Sequence, residues 1–545
     1  MPQIQSLTHG TSGLTFVYLI VLSASFIGLA RSKAPSTKYP VAMLTAVPLL
    51  LVVALANFLV DELLRTLHMD GAWMELILGV LVSVAIGLLA GYALAEQRAA
   101  DEPRHRRGAF VAKSSSMIAG ESNSPSGITL AGSSIPLEDE TKHFKIIGTT
   151  GTGKSTAIRE ILDSALARGD RVIVADPDGG YMKRYFNPAR GDVILNPFDA
   201  NARKWNIFGE ITEDYDIDQL ARALIPDSGG EDRVWCEYAR TLFTEVMRQM
   251  RRTGILDDAE LSRLLNAAPD EELRALLEGT AASRFFKEGN EKMLGSTQAV
   301  LSSAVRVFEY TTKHAASPLS VRQWVREGRA VASGGSGGVL FLPYKAVEIA
   351  ALRQLISAWM RLSIFEAMNC EEGDQRLWFI VDELDALGAI DGLKDALARL
   401  RKFGGRCVLG FQSIAQVSGQ YGKGSAETIV ENCANTLILR CSASERGGTS
   451  EFASKLIGQR EVMHATVSTT RRVGEWHSSV SHGEQLRIEP AVMASEIERL
   501  PDLAGYLKIA SVPDWHRATL IFKGEAAAPA REETSPAADA SASAV

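Results

Sequence analysis

The sequence predicts an α/β fold with a mostly parallel sheet, an all-helical inserted domain and an N-terminal transmembrane helical anchor. Three observations predict it. First, short β-branched apolar runs alternate with helical patterns from residue 143 to about 522. Strands buried on both faces and separated by helices indicate a parallel sheet. Second, the alternation lapses from about 211 to 325, where the segments DIDQLARALIP, EYARTLFTEVMRQMRR and DEELRALLEG all read as helix. Third, most of the apolar excess sits in the first hundred residues.

The anchor comes first in the chain. Its apolar stretches are 13–30, 41–60 and 71–94, each near the roughly 20 residues that span about 30 Å of hydrocarbon. Residues 1–12 hold no Lys or Arg, which disfavours a cleavable signal peptide. Arg31, Lys33 and Lys38 follow the first stretch; Asp61, Glu62 and Asp70 lie between the second and third. Arg98, Arg104, Arg106, Arg107 and Lys113 come after the third. The positive-inside rule makes the 31–40 loop and everything after 97 cytoplasmic. Three spans fit this pattern, and two spans are the alternative. Glu75 and Trp73 are expected near the outer interface.

The sequence divides the remainder as follows. Residues 98–142 form a polar linker and domain entry, and 143–210 with 326–523 form a nucleotide-binding domain. Residues 211–325 form the all-alpha inserted domain, and 524–545, rich in Ala, Pro, Ser and acids, form a disordered tail. The expected strands are 143–148, 171–176, 192–197, 338–343, 376–383, 406–412, 435–441, 506–510 and 518–522. Composition sets limits. With 46% apolar and 23% charged residues the chain is globular rather than disordered or collagen-like. Lys plus Arg is 58 against 65 Asp plus Glu, a net charge of −7. Any polyanion must therefore bind a local basic surface or a channel. The Cys count is 5, with no C-x-x-C pair, which disfavours a disulfide framework or zinc site and points to a reducing compartment.

The strongest motif is Gly148-Thr149-Thr150-Gly151-Thr152-Gly153-Lys154-Ser155, followed by Thr156. It matches G-x-x-x-x-G-K-[ST] between an apolar run and a helix. Glycines let the backbone wrap a phosphate chain, and the amides of the loop and helix N-terminus face it. Lys154 is expected to reach the β- and γ-phosphates, and Ser155 to join a Mg²⁺ shell. Leu377–Glu383 has the form of a Walker B strand: Asp382 holds Mg²⁺ through water and Glu383 acts as general base. Gln412, at the end of the strand expected beside Walker B, can touch the γ-phosphate or the attacking water. Arg401, ending the helix after Walker B, is a candidate arginine finger for a neighbouring subunit, against the commoner solvated arginine. Asp176 and Asp178 read as a structural turn at the sheet's C-terminal edge. His143, Trp205 and Trp235 read as core or capping residues, and Arg248, Arg251 and Arg252 as a solvated helix face.

The segments KIIGTTGTGKST, LARGDRVIVADPDG, ILNPFD, KWNIFGEI, RQLISAWM, LWFIVDELDAL, RLRKFGGRCVLGFQS and IERLPDLAGYLKIA, in this order, resemble the type IV secretion coupling proteins of the TraD/TrwB kind. The resemblance covers most of 143–515. It implies a RecA/FtsK-like P-loop NTPase domain using ATP and Mg²⁺, assembled as a homo-hexamer on the cytoplasmic face of a bacterial inner membrane. It implies single-stranded DNA with bound relaxase as substrate and the type IV secretion channel proteins as partners. Lys154 and Ser155 then bind nucleotide, Asp382 and Glu383 form Walker B, Arg401 aligns with the trans arginine and Gln412 with the strand-end Gln motif. Three spans with a very short outer loop depart from the family's two spans around a periplasmic loop. Competing functions are a receptor ATPase for protein effectors, a scaffold whose nucleotide only holds the ring together, and a double-stranded DNA motor. The two intact motor motifs disfavour the scaffold, and the helical insertion disfavours the last.

Overall fold

The computed structural model describes residues 11–31, 38–66, 72–99, 104–112, 127–227, 233–306, 308–311, 317–330, 337–369, 373, 375–444, 448–470 and 479–522. Two compact units result: residues 1–108 with 459–489, and residues 109–458 with 490–545. The tail expected at 524–545 and the side chains of Trp73 and Glu75 lie outside the described residues.

In the first unit, the three apolar stretches form helices α1 (Thr11–Arg31), α2 (Lys38–Thr66) and α3 (Ala72–Ala99). Small residues let α1 and α3 pack closely. A Cβ on Gly91 would fall 2.4 Å from the Ser25 carbonyl oxygen, and the Ser25 hydroxyl donates to the Gly87 carbonyl at 3.0 Å. Outward leucines such as Leu44 and Leu51 are exposed. Within the described residues, Tyr39–Val60 and Ile77–Leu94 are long and apolar enough to cross a membrane; the apolar part of α1, Phe16–Arg31, is shorter. The same unit holds a three-stranded sheet of Arg104–Gly108, Gln459–Thr470 and Ser479–Pro490. The sequence placed 459–490 inside the nucleotide-binding domain without strands. Where described, the second hairpin strand is almost wholly exposed, so it carries no buried stripe for a periodicity argument to detect.

The second unit is built on a ten-stranded sheet. Its strands are β1 (Val111–Ala112), β2 (Phe144–Ile147), β3 (Arg171–Pro177), β4 (Val193–Ile194), β5 (Val339–Tyr344), β6 (Leu377–Val381), β7 (Gly405–Phe411), β8 (Asn435–Ile438), β9 (Ala504–Lys508) and β10 (Trp515–Thr519). Their spatial order is β1-β10-β9-β8-β2-β7-β6-β3-β5-β4. From β8 to β4 every pair is parallel; β9 runs antiparallel to β8 and β10. The mostly parallel sheet predicted from the sequence is present. Its central strands are buried on both faces by alternate residues. Ile147, Ile173, Phe379 and Leu409 enter one core; Ile146, Val172, Trp378 and Val408 enter the other.

Residues 127–142, assigned by sequence to the linker, are part of this unit. Strands Ile128–Leu130 and Ser133–Ile135 precede the short helix Leu137–Glu140. Buried Glu140 accepts from Arg168 at 2.7 and 2.8 Å and from Arg406 at 2.7 Å, while Arg168 also pairs with Asp170. These charges are short and polar in sequence, which is why 127–142 reads as linker. Helices occupy the insertion from Asp214–Leu224 to Glu291–Val305. At its base, parallel Lys204–Trp205 and Pro318–Leu319 join its two ends. Arg322 bridges Asp216 and Glu366, tying the insertion to helix Ile349–Ala367.

Candidate functional site

β2 ends at Ile147, and the chain turns through Gly148–Gly153 into α4 (Lys154–Ala167). Gly151 (φ +77°) and Gly153 (φ +117°) adopt left-handed backbone that glycine tolerates best. A Cβ on Gly153 would also lie 2.9 Å from Leu503 Cδ2 and 3.0 Å from Leu520 Cδ1. The loop is pinned at its base: the Thr149 amide donates to the Arg440 carbonyl at 2.9 Å, the Thr152 hydroxyl to the Thr149 carbonyl at 2.7 Å, and the Leu503 amide to the Thr152 carbonyl at 2.9 Å. No side chain caps α4, so its first-turn amides are available to an anion.

β6 delivers Asp382 and Glu383 at the same edge, and β7, between β2 and β6, delivers Gln412. Ser155 Oγ donates to Asp382 Oδ2 at 2.8 Å. Gln412 Nε2 donates to Glu383 Oε1 at 2.6 Å, and Gln412 Oε1 accepts from the Thr150 hydroxyl at 2.9 Å. Only one orientation of the Gln412 amide satisfies both bonds. It thereby links the phosphate-binding loop to the Walker B acid. Lys154 Nζ rests on the Gly148 and Thr149 carbonyls at 2.8 and 3.2 Å. Burial lowers its pKa, and the charges of Asp382, Glu383 and Asp385 oppose that. Burial, with the charge of Asp385, raises the Glu383 carboxyl, which makes it a stronger base.

Lys154, Ser155, Asp382, Glu383, Gln412 and the loop from Gly148 to Gly153 thus converge. Thr156 lies in the first turn of α4, half-buried. Arg401 does not join them. It is exposed, in the turn Arg401–Phe403 that precedes β7. Gly405 opens β7 and Phe411, the partner of Ile147, closes it, so six steps of about 3.3 Å put Arg401 roughly 20 Å from its own loop.

One residue beside the site, Tyr181, escaped the sequence reading, as did the contacts made by Asp176. Tyr181, on α5 (Gly180–Tyr185), donates its hydroxyl to Asp382 Oδ2 at 2.8 Å. Asp176 is a turn residue, as the sequence indicated, but a buried one: it accepts from the Tyr181 and Met182 amides at 3.0 and 2.7 Å and holds α5 against Asp382. Burial pushes its carboxyl up to about 6. The segment ADPDGG marks the strand-end turn, but no sequence signal points a tyrosine at Asp382. His143 and Trp205 are buried, as expected; Arg248 and Arg251 form ion pairs with Asp218 and Asp214. The described cysteines are buried.

The donor set fits a magnesium nucleotide. A hydroxyl and a carboxylate stand side by side for a hard cation, beside left-handed glycines, a lysine and an uncapped helix N-terminus for phosphates. Residues 127–521 match the type IV secretion-system coupling protein DNA-binding domain. Coupling protein TraD of Escherichia coli K12 is 32% identical over 375 residues, which cover 68% of this chain and 51% of TraD. A conjugal transfer protein TraG of Escherichia coli is 23% identical over 411 residues, covering 66% of this chain and 62% of TraG. The chain thus spans about half to three-fifths of these relatives. Among solved structures, the unbound bacterial conjugative coupling protein TrwBdeltaN70 superposes with a TM-score of 0.69 at 30% identity, covering 78% of this chain and 94% of that one. The plasmid coupling protein TrwB in complex with ADP and Mg²⁺ superposes with a TM-score of 0.68 at 30% identity, covering 78% and 95%.

Proposed function

The chain belongs to the type IV secretion-system coupling protein family, and on that premise we propose that it is an inner-membrane ATPase driving conjugative DNA transfer. It works as a homo-hexamer with its ATPase domain in the cytoplasm. Its substrate is a single DNA strand with bound relaxase, passed to a type IV secretion channel. The observation that carries this reading is the convergence of Lys154, Ser155, Asp382, Glu383 and Gln412 at one edge of the sheet.

Bound ATP supplies the phosphoryl group, and Mg²⁺ neutralises its charge. Ser155 and Asp382 hold the cation, and Lys154 exchanges its two carbonyl contacts for phosphate oxygens. Glu383 withdraws a proton from water; Gln412 occupies Oε1 and leaves Oε2 for that proton. Tyr181 and Ser155, both donating to Oδ2, keep Asp382 aimed. Arg401, too far from its own loop, acts on a neighbour's site in the ring.

The test is ATP hydrolysis by the full chain in lipid nanodiscs, alone, with single-stranded DNA and with duplex DNA. Lys154→Ala is the blank, and conjugative transfer by the same variant is the second readout. Hydrolysis absent from Lys154→Ala and stimulated by single strands supports the reading. Normal transfer by Lys154→Ala would overturn it. Active enzyme indifferent to both DNA forms would replace the DNA substrate with a protein effector.

A further inference from the structure

The edge of the sheet opposite the nucleotide site carries a cavity of about 360 Å³, at the beginnings of β3, β4 and β5. Arg171, Arg190 and Arg203 line it from β3 and the chain flanking β4; Gln323, Trp324 and Glu327 line it from helix Val321–Ala330. Arg171 opens β3, and its guanidinium carbon stands 3.7 Å from the centre of the Trp324 ring. Its Nη2 and Nη1 donate to the Trp324 and Val325 carbonyls at 2.7 and 3.2 Å. A Cβ on Gly328 would overlap this guanidinium, so glycine is what leaves room for it. Arg203 Nε and Nη2 donate to the Ser317 and Pro318 carbonyls at 3.0 and 3.1 Å. Arg190 pairs with Asp192 at 2.7 Å. Nη1 of Arg190 and of Arg203 has no partner among the described residues. Three guanidinium groups thus share the cavity with one carboxylate, Glu327, which accepts from Gln323 Nε2 at 2.7 Å. Carbonyls fix the planes of Arg171 and Arg203 without cancelling their charge, and neither forms an ion pair among the described residues. Burial lowers the Arg171 guanidinium, and Glu327 only partly opposes this. A partly buried charge lacking its counter-charge is costly, and a bound anion offsets that cost.

We propose that this cavity is a phosphate-binding site, separate from the nucleotide site. Guanidinium groups held in fixed planes suit the several oxygens of a phosphate, and the volume falls at the lower end of the roughly 300–1,000 Å³ of small-ligand pockets. The phosphate belongs either to the backbone of a single DNA strand or to a free phosphate-bearing molecule. Glu327 opposes it and tunes its affinity. A ligand here joins helix Val321–Ala330, which follows the insertion, to β3, whose other end bears Asp176 about 20 Å away. The site does not depend on the ATPase reading above.

The test uses the full chain in nanodiscs, saturated with a non-hydrolysable ATP analogue and Mg²⁺ so that the Gly148–Ser155 loop is already filled. Inorganic phosphate is titrated by calorimetry, and a fluorescein-labelled oligothymidylate by anisotropy. Arg203→Gln, at an exposed position, keeps the melting temperature and weakens the bound probe about 10-fold or more, the worth of one charge-assisted hydrogen bond. Glu327→Gln, which removes the carboxylate lining the cavity, tightens it about 3- to 10-fold. That gain is one a loss of packing does not produce. If inorganic phosphate shows this pair of opposite changes, a free phosphate-bearing molecule is the ligand. If only the oligothymidylate shows it, the DNA backbone is. Neither probe responding to either variant would overturn the proposal, and so would both variants weakening binding together, which marks a structural role.

Discussion

His143 should make this protein acid-sensitive in a way one substitution removes. The residue precedes β2 with φ +58° and is buried. Its Nδ1 accepts from the Cys407 amide at 3.2 Å, so Nε2–H must be the donor to the Leu397 carbonyl at 2.9 Å. Protonation would set a second N–H against the Cys407 amide. Burial, with the positive charges of Arg401 and Arg406, holds the imidazole at about 4 instead of its ordinary 6.5. A depressed histidine contributes stability that is complete above 6.5 and is lost as pH falls towards 4, because only the unfolded chain takes up the proton. At 1.36 kcal/mol per pKa unit, the whole window is worth about 3 kcal/mol, and about 2 kcal/mol is gone by pH 5. Asp176, raised to about 6, works in the opposite sense, gaining stability as pH falls, so wild type alone is not diagnostic. Denaturant midpoints of the full chain in detergent, wild type against His143→Asn, isolate the term; Asn tolerates the positive φ. The variant is the less stable at pH 7, and the gap narrows by about 2 kcal/mol at pH 5. A gap unchanged between pH 7 and 5 would refute the buried neutral imidazole.

Two further outcomes follow from the geometry. Glu140→Ala takes the carboxylate away from Arg406 and Arg168 and should cost about 3–5 kcal/mol in the same unfolding experiment, as breaking a buried ion pair does; a loss below 1 kcal/mol would show the network relaxes. Gln412→Ala frees Glu383 and Thr150 together, so kcat should fall by about 10- to 100-fold with KM near wild type; a raised KM at unchanged kcat would assign Gln412 to binding instead.

Different parts of the molecule were legible in the sequence to different degrees. The Gly148–Ser155 loop was legible because a left-handed turn needs glycine and a phosphate needs lysine, and both requirements are local. The Walker B strand was legible because five buried residues precede two acids. Gln412 was legible only as a strand end; its bridge between Thr150 and Glu383 needed the neighbour order of β2, β7 and β6. Residues 127–142 were hidden because their anchoring group, Glu140, is an acid whose partners lie 28 and 266 positions away. The 459–490 hairpin was hidden because its second strand, where described, is almost wholly exposed.

The sequence by itself determined the alternation that makes the sheet, the helical insertion, the three apolar helices and the residues that can meet a phosphate. Those depend on spacing along the chain, which a linear reading measures. Only the tertiary structure decided that Tyr181 and Asp176 brace Asp382 and that Arg401 lies at the far edge. A parallel sheet places strands distant in sequence side by side and sends all their ends to one edge, so what meets there is set by strand order and not by sequence spacing.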